Sequence, residues 1–171
     1  MSRGGVEFAY LYEWGGNNAD GTYGFDEQRP GWGVPIHQLL ITNHVSAVFH
    51  GHDHVFVKQD LDGIVYQELP QPSNDQPDNT NLAAEYGYVN GDVVAGSGHL
   101  CVTVTPEQVT VDFIHAYLSQ NGQVNYTYTL YPRKILQGHG GTVTGQNHQS
   151  PAVSLRLFIV SPCRTTLRSR S

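Results

Sequence analysis

A chain of 171 residues is long enough to bury one hydrophobic core, and with 39% apolar and 14% charged residues it lacks the composition of a disordered segment. Its net charge of −6 is unevenly spread: all 15 acidic residues lie at or before Asp112, beside only Arg3, Arg29 and Lys58, while the remainder carries six basic residues and no acid. The acidic part has no basic stripe for a phosphate backbone and the basic end has no interleaved aromatics, so nucleic-acid binding is not expected; no apolar run approaches roughly 18 residues, so neither is a membrane span.

In chain order, Val6 to Tyr12 reads as a strand or a short helix, too short for periodicity to decide. Gly15 to Asn18 and Asp20-Gly21 are turn chemistry. Pro35 opens a helix, with Ile36, Leu39 and Leu40 as its apolar face and a stop near Asn43-His44. Val45 to Phe49 reads as a short buried strand with His50–His54 as the loop at its end. Val55 to Lys58 resumes extended structure, Leu61-Asp62-Gly63 makes a tight hairpin turn, and Ile64 to Leu69 returns as a strand. Residues 71–98 are poor in apolar side chains and read as a long loop. Leu100, Val102 and Val104, then Val109, Val111 and Phe113, alternate with polar residues about the turn at Pro106-Glu107, which predicts a β-hairpin with one buried face. Gln123 to Leu130 alternates again, with Tyr126, Tyr128 and Leu130 on one side. Beyond Pro132 the patterning degrades, and 136–171 has the character of a poorly patterned basic tail.

The first twenty residues lack the basic start and apolar run of a signal peptide. Cys101 and Cys163 allow one disulfide, but no Cys-x-x-Cys pair suggests a thiolate zinc site. Ten tyrosines, two lysines and the sequon Asn125-Tyr126-Thr127 favour a periplasmic or extracellular setting.

The chemistry concentrates in HGHDH, His50 to His54. His52 and His54 are two apart, so an extended backbone points both rings the same way, and neutral imidazoles converging at a strand end suit a metal ion. Gly51 permits a tight turn. Asp53 faces the other way and reads as a supporting or turn residue, and His50 reads as a buried neighbour. Two imidazoles do not complete a coordination shell, and His37, His44, His99 and His115 are candidates by composition only. Among other residues, Trp14, Trp32, Tyr10 and Tyr12 could line a substrate pocket, Arg3 and Arg29 could hold a phosphate, and Gln67, Gln71 and Asn74 could ring a site; for each, packing, salt bridging or a polar loop is the commoner role.

The stretch VSAVFHGHDHVF resembles the last metal-binding motif, GHxH after a hydrophobic strand, of the calcineurin-like metallophosphoesterases. The runs RGGVEFAYLYEWGG, RPGWGVPIHQLL, LDGIVYQELPQPS and GHLCVTVTPEQVTVDFI extend the likeness over about residues 3–130. The resemblance implies an α+β fold in which a β-sandwich is flanked by helices, with this chain as its C-terminal, mostly β part: 1–135 within the domain and 136–171 outside it. It further implies a hydrolase (a phosphatase or other phosphoesterase) acting on a phosphate-ester small molecule through two divalent or trivalent metal ions, iron, manganese or zinc, with His52 binding one and His54 the other. The family's D-x-H, G-D-x-x-D and G-N-H motifs do not occur here, since Thr22 and Gln28 stand two after Asp20 and Asp26, and Asn18 follows Gly16-Asn17. The expectation is therefore a fragment that supplies only the GHxH ligands and needs the missing N-terminal half of the same domain as its partner.

Two other classes compete. A single-metal cupin barrel also carries His-x-His on a strand, but it wants a glutamate a few residues on, where this chain has Lys58, with Glu68 the nearest downstream. A non-catalytic β-rich binding or structural fragment needs no further ligands.

Overall fold

The computed structural model describes residues 4–73, 77–117 and 119–134 and the strand segments 153–154 and 157–159. The chain is mixed α+β and mostly β, with two principal sheets and a few short helices. Before the first strand come a 3-10 turn at Val6–Phe8 and the helices α1 (Tyr12–Gly15), α2 (Phe25–Gln28) and α3 (Ile36–Thr42). Val6–Phe8 is therefore helical turn, and extended backbone is confined to Leu11, which forms a single bridge to Asn17. Pro35 caps α3 instead of occupying its first turn. Of the expected apolar face of α3, Leu40 is buried and Ile36 packs beside it, but Leu39 is 49% exposed and Ile41 takes its place against the core. A seven-residue helix makes fewer than two turns, so its docking angle, rather than an i, i+3, i+4 count, selects which side is covered.

Strands β1 (Ala47–His50), β2 (Phe56–Leu61), β3 (Ile64–Glu68) and β4 (Asp92–Val94) belong to the first sheet, whose order is β10-β1-β3-β2-β4 with β10 at Leu157–Ile159. β1 runs parallel to β3 and β10, while β2 is antiparallel to β3 and β4. The β2–β3 hairpin closes through Asp62 (φ 49°) and Gly63 (φ 72°), two left-handed residues in the loop that fits the right-handed twist of the strands. The second sheet is the antiparallel meander β5 (Gly98–Val104), β6 (Val109–His115) and β7 (Val124–Leu130). Val102 pairs with Val111, and Val111 with Tyr128, so the alternating residues of all three strands share one face. The expected burial of that face holds for Val109, Val111 and Phe113 of β6 but not for the edge strand β5, where Val102 and Val104 are exposed because nothing among the described residues packs over the end of β5. A two-stranded pair joins β8 (Arg133–Lys134) and β9 (Val153–Ser154). The rest of 136–171 lies outside the described residues.

The sheets meet through Ala47, Phe49 and Val65 on one side and Val109, Val111 and Leu130 on the other. Phe56 of β2 stacks on Phe113 of β6, with ring centroids 4.9 Å apart. On the opposite face of the first sheet, Val48, Ile64 and Tyr66 pack against α3 and Trp14. β1 is consequently buried on both faces, which explains its unbroken apolar run.

The stretch 71–98 is not one long loop. It contains α4 (Asn81–Glu85) and β4. Leu82, Ala83, Tyr86 and Tyr88 gather against Val55 and Val57, and this docked patch holds a helix whose five residues have too little period to read in the sequence. Among the described residues no helix is long and apolar enough to cross a membrane.

Candidate metal-ligand loop at the end of β1

β1 ends at His50, and the chain turns through Gly51–Val55 before re-entering the sheet as β2. His52 and His54 are both exposed, and neither is extended: their φ values are 137° and 61°. The alternation argument for the two rings therefore does not apply here. Left-handed backbone at two non-glycine residues costs of order 1–3 kcal/mol each and persists only where the surroundings enforce it.

The enforcement is visible. Asp53 is 2% exposed and Glu68 1%. Glu68 Oε1 accepts the Asp53 backbone N–H at 2.8 Å, and its Oε2 lies 2.6 Å from His50 Nδ1. The Leu69 N–H donates to the His50 carbonyl at 2.8 Å. Asp53 Oδ2 accepts the Tyr88 hydroxyl at 2.9 Å, and its Oδ1 lies 2.9 Å from His52 Nδ1. Asn79 closes the other side: its amide donates to the His54 carbonyl at 2.9 Å and its Oδ1 accepts the Gly96 N–H at 3.0 Å. Burying two carboxylates costs several kcal/mol each, which hydrogen bonds to both oxygens of each group offset. Burial, with the charges of Glu68 and Asp53 beside it, pushes the Tyr88 phenol far above its ordinary value, so it stays a hydrogen-bond donor.

His50 is thus the buried neighbour its sequence context suggests, and Asp53 faces inward. Asn79 and Tyr88 have no role in the sequence reading, and Glu68 enters it only as a glutamate too distant for a cupin site. A charged residue within the apolar strand IVYQEL was a signal for Glu68; Asn79 and Tyr88 stand in a polar stretch with no comparable mark.

The other candidates go elsewhere. His37 is held between the Tyr66 hydroxyl at 2.6 Å and Asp62 at 2.9 Å. His44 and His99 are exposed. His115 is buried between Phe113 and Tyr117, with no hydrogen-bond partner for Nδ1 among the described residues. Arg29 pairs with Glu13 at 3.2 Å. Gln67 is fully buried and donates to the Val57 and Glu68 carbonyls. Gln71 donates to Ser73. Arg3 and Asn74 lie outside the described residues. Trp14 lines a hollow of about 350 Å³ with Tyr23, Pro35 and His37, which neither His52 nor His54 borders. Tyr10, Tyr12 and Trp32 are exposed. Cys101 is an exposed free thiol, and Cys163 lies outside the described residues.

As donors, His52 and His54 suit a borderline metal, and the bracing beneath them suits a ligand loop. Among the described residues no group of three or more His, Cys, Asp and Glu side chains is placed to hold a metal ion.

No family model matches the chain, and no curated protein matches it. Among solved structures it is similar to GAP50, the anchor in the inner membrane complex of Plasmodium, at a TM-score of 0.47 and 15% identity, over 58% of this chain and 30% of that one. The chain thus spans less than a third of that structure's length.

Proposed function

We propose that this chain supplies the GHxH ligand loop of a calcineurin-like metallophosphoesterase, a hydrolase of phosphate esters, and that His52 and His54 each bind one ion of a two-metal centre whose other ligands come from polypeptide outside it. One observation carries the reading: two exposed imidazoles stand on a strained loop at a strand end, above buried carboxylates that hold its backbone. Strain of this kind concentrates at functional sites, and a chain with no use for the loop has no reason to retain two left-handed histidines. Iron, manganese or zinc bound there would lower the pKa of an attacking water and offset charge on the phosphoryl oxygens. The chain's own part is narrower: it presents two exposed imidazoles and keeps their backbone from relaxing.

The test is zinc and manganese titration of the full chain against His52→Ala and His54→Ala. Weak binding that either substitution removes is expected, with no chelator-sensitive turnover of p-nitrophenyl phosphate by the chain alone. Unchanged metal affinity in both variants would instead favour a β-rich binding or structural fragment. Chelator-sensitive turnover by the pure chain would show that no further ligands are needed.

A further inference from the structure

The two buried carboxylates under the loop do different work. Glu68 spends its oxygens on the Asp53 backbone and on His50, so it holds the loop's path. Asp53 spends one oxygen on Tyr88 and turns the other toward the ring of His52, 2.9 Å from Nδ1. A carboxylate oxygen only accepts, so the ring nitrogen facing it must carry the hydrogen. An imidazole without such a partner can take either tautomer.

We propose that Asp53 is a positioning residue that holds His52 in the Nδ1–H tautomer and so leaves Nε2 as the nitrogen offered to a metal ion. Tyr88 is part of the device. Its hydroxyl occupies Oδ2 and fixes the carboxylate plane, which aims Oδ1 at His52. The His52 side chain is 57% exposed while Asp53 is buried, so the ring's inner edge is held and its outer edge is open. The inference rests on the reading of His52 as a ligand, but the tautomer can be measured without any metal.

Asp53→Asn makes a sharp test. The Tyr88 hydroxyl donates to the new amide's oxygen, which turns the amide NH2 toward His52. Nδ1 must then accept, and the hydrogen moves to Nε2, the nitrogen that faces outward. Two-bond nitrogen–proton NMR correlations on the full chain with 15N-labelled histidine, at about pH 8.5 and so two units above the reference histidine value, report the tautomer directly. Nδ1–H is expected in the wild type and Nε2–H in Asp53→Asn, with zinc affinity lower by about 10- to 100-fold in the variant. Tyr88→Phe, which keeps the ring and the fold's packing, is expected to give a mixture of tautomers.

Nε2–H in the wild-type chain overturns the proposal without recourse to any variant. So does an Asp53→Asn chain that binds zinc as the wild type does, in a protein where His52→Ala abolishes binding; the metal reading then survives. If the tautomers behave as expected but neither His52→Ala nor His54→Ala alters zinc affinity, the metal reading fails while the tautomer assignment is upheld.

Discussion

Two kinds of residue carry the pH response. Burial pushes Glu7 up, but the Gln59 amide and the backbone amides of Val89 and Asn90 outweigh it and hold this carboxyl below its ordinary value of 4.5. A depressed carboxyl contributes stability above its unfolded pKa and loses it as pH falls through the folded one. Burial raises the phenols of Tyr66, Tyr88 and Tyr128 above 10.0. A raised phenol contributes below its unfolded pKa and loses that contribution as pH rises past it. Urea midpoints should therefore fall on the acid side below about pH 4.5 and on the alkaline side above about pH 10, and Glu7→Gln should flatten the acid limb alone. An acid limb unchanged in Glu7→Gln would remove Glu7 from the account. At this scale the sequence is informative where a residue's chemistry stands out from its surroundings. The inward Asp53 and the buried His50 were legible for that reason. The left-handed backbone of His52 and His54 was not, because an alternation rule presumes an extended chain, and nothing local announces that Glu68 and Asn79 hold it otherwise.

At the scale of elements, the β2–β3 hairpin depends on a backbone conformation that favours glycine. Gly63 sits at φ 72° in a two-residue loop, and a β-branched residue there meets the steric cost of left-handed backbone, about 1–2 kcal/mol. Gly63→Val should lower the stability of the chain by roughly that amount in urea denaturation; a change within error would mean that the turn can adopt another type. This hairpin was readable because Leu61-Asp62-Gly63 has specific turn chemistry between apolar runs. The meander β5–β6–β7 was readable because one face of each strand is apolar and the other polar, so the period survives in the sequence. Neither condition holds for α4 or β4. Each has five residues or fewer, and each exists because Leu82, Tyr86 and Tyr88 dock on β2 or because β2 has a free edge to pair. Stability drawn from a distant partner leaves no local pattern.

For the molecule as a whole, the sheet order was not legible. β3 inserts between β1 and β2, although β2 follows β1 directly in the chain. Periodicity says which face of a strand is covered, but it does not name the neighbour. That insertion nevertheless makes the candidate site, because it sets His50 level with Glu68 on adjacent parallel strands. Asn79 then ties this site to Gly96, two residues before β5 begins at Gly98. The clasp has a kinetic consequence. Opening the histidine loop and releasing the start of β5 should be one event, so the amides of Asp53 and Gly96 should share an exchange rate with solvent deuterium. Asn79→Ala removes two hydrogen bonds worth about 1 kcal/mol each, which should speed exchange at Asp53 by roughly thirtyfold although its own acceptor, Glu68, is untouched. Val65, bonded to Ser46 inside the first sheet, should keep its rate. Asp53 exchanging as slowly in Asn79→Ala as in the wild type would mean the two regions breathe separately. If they breathe together, the loop's lifetime in its strained form is set as much by a residue twenty-five positions away as by the histidines themselves.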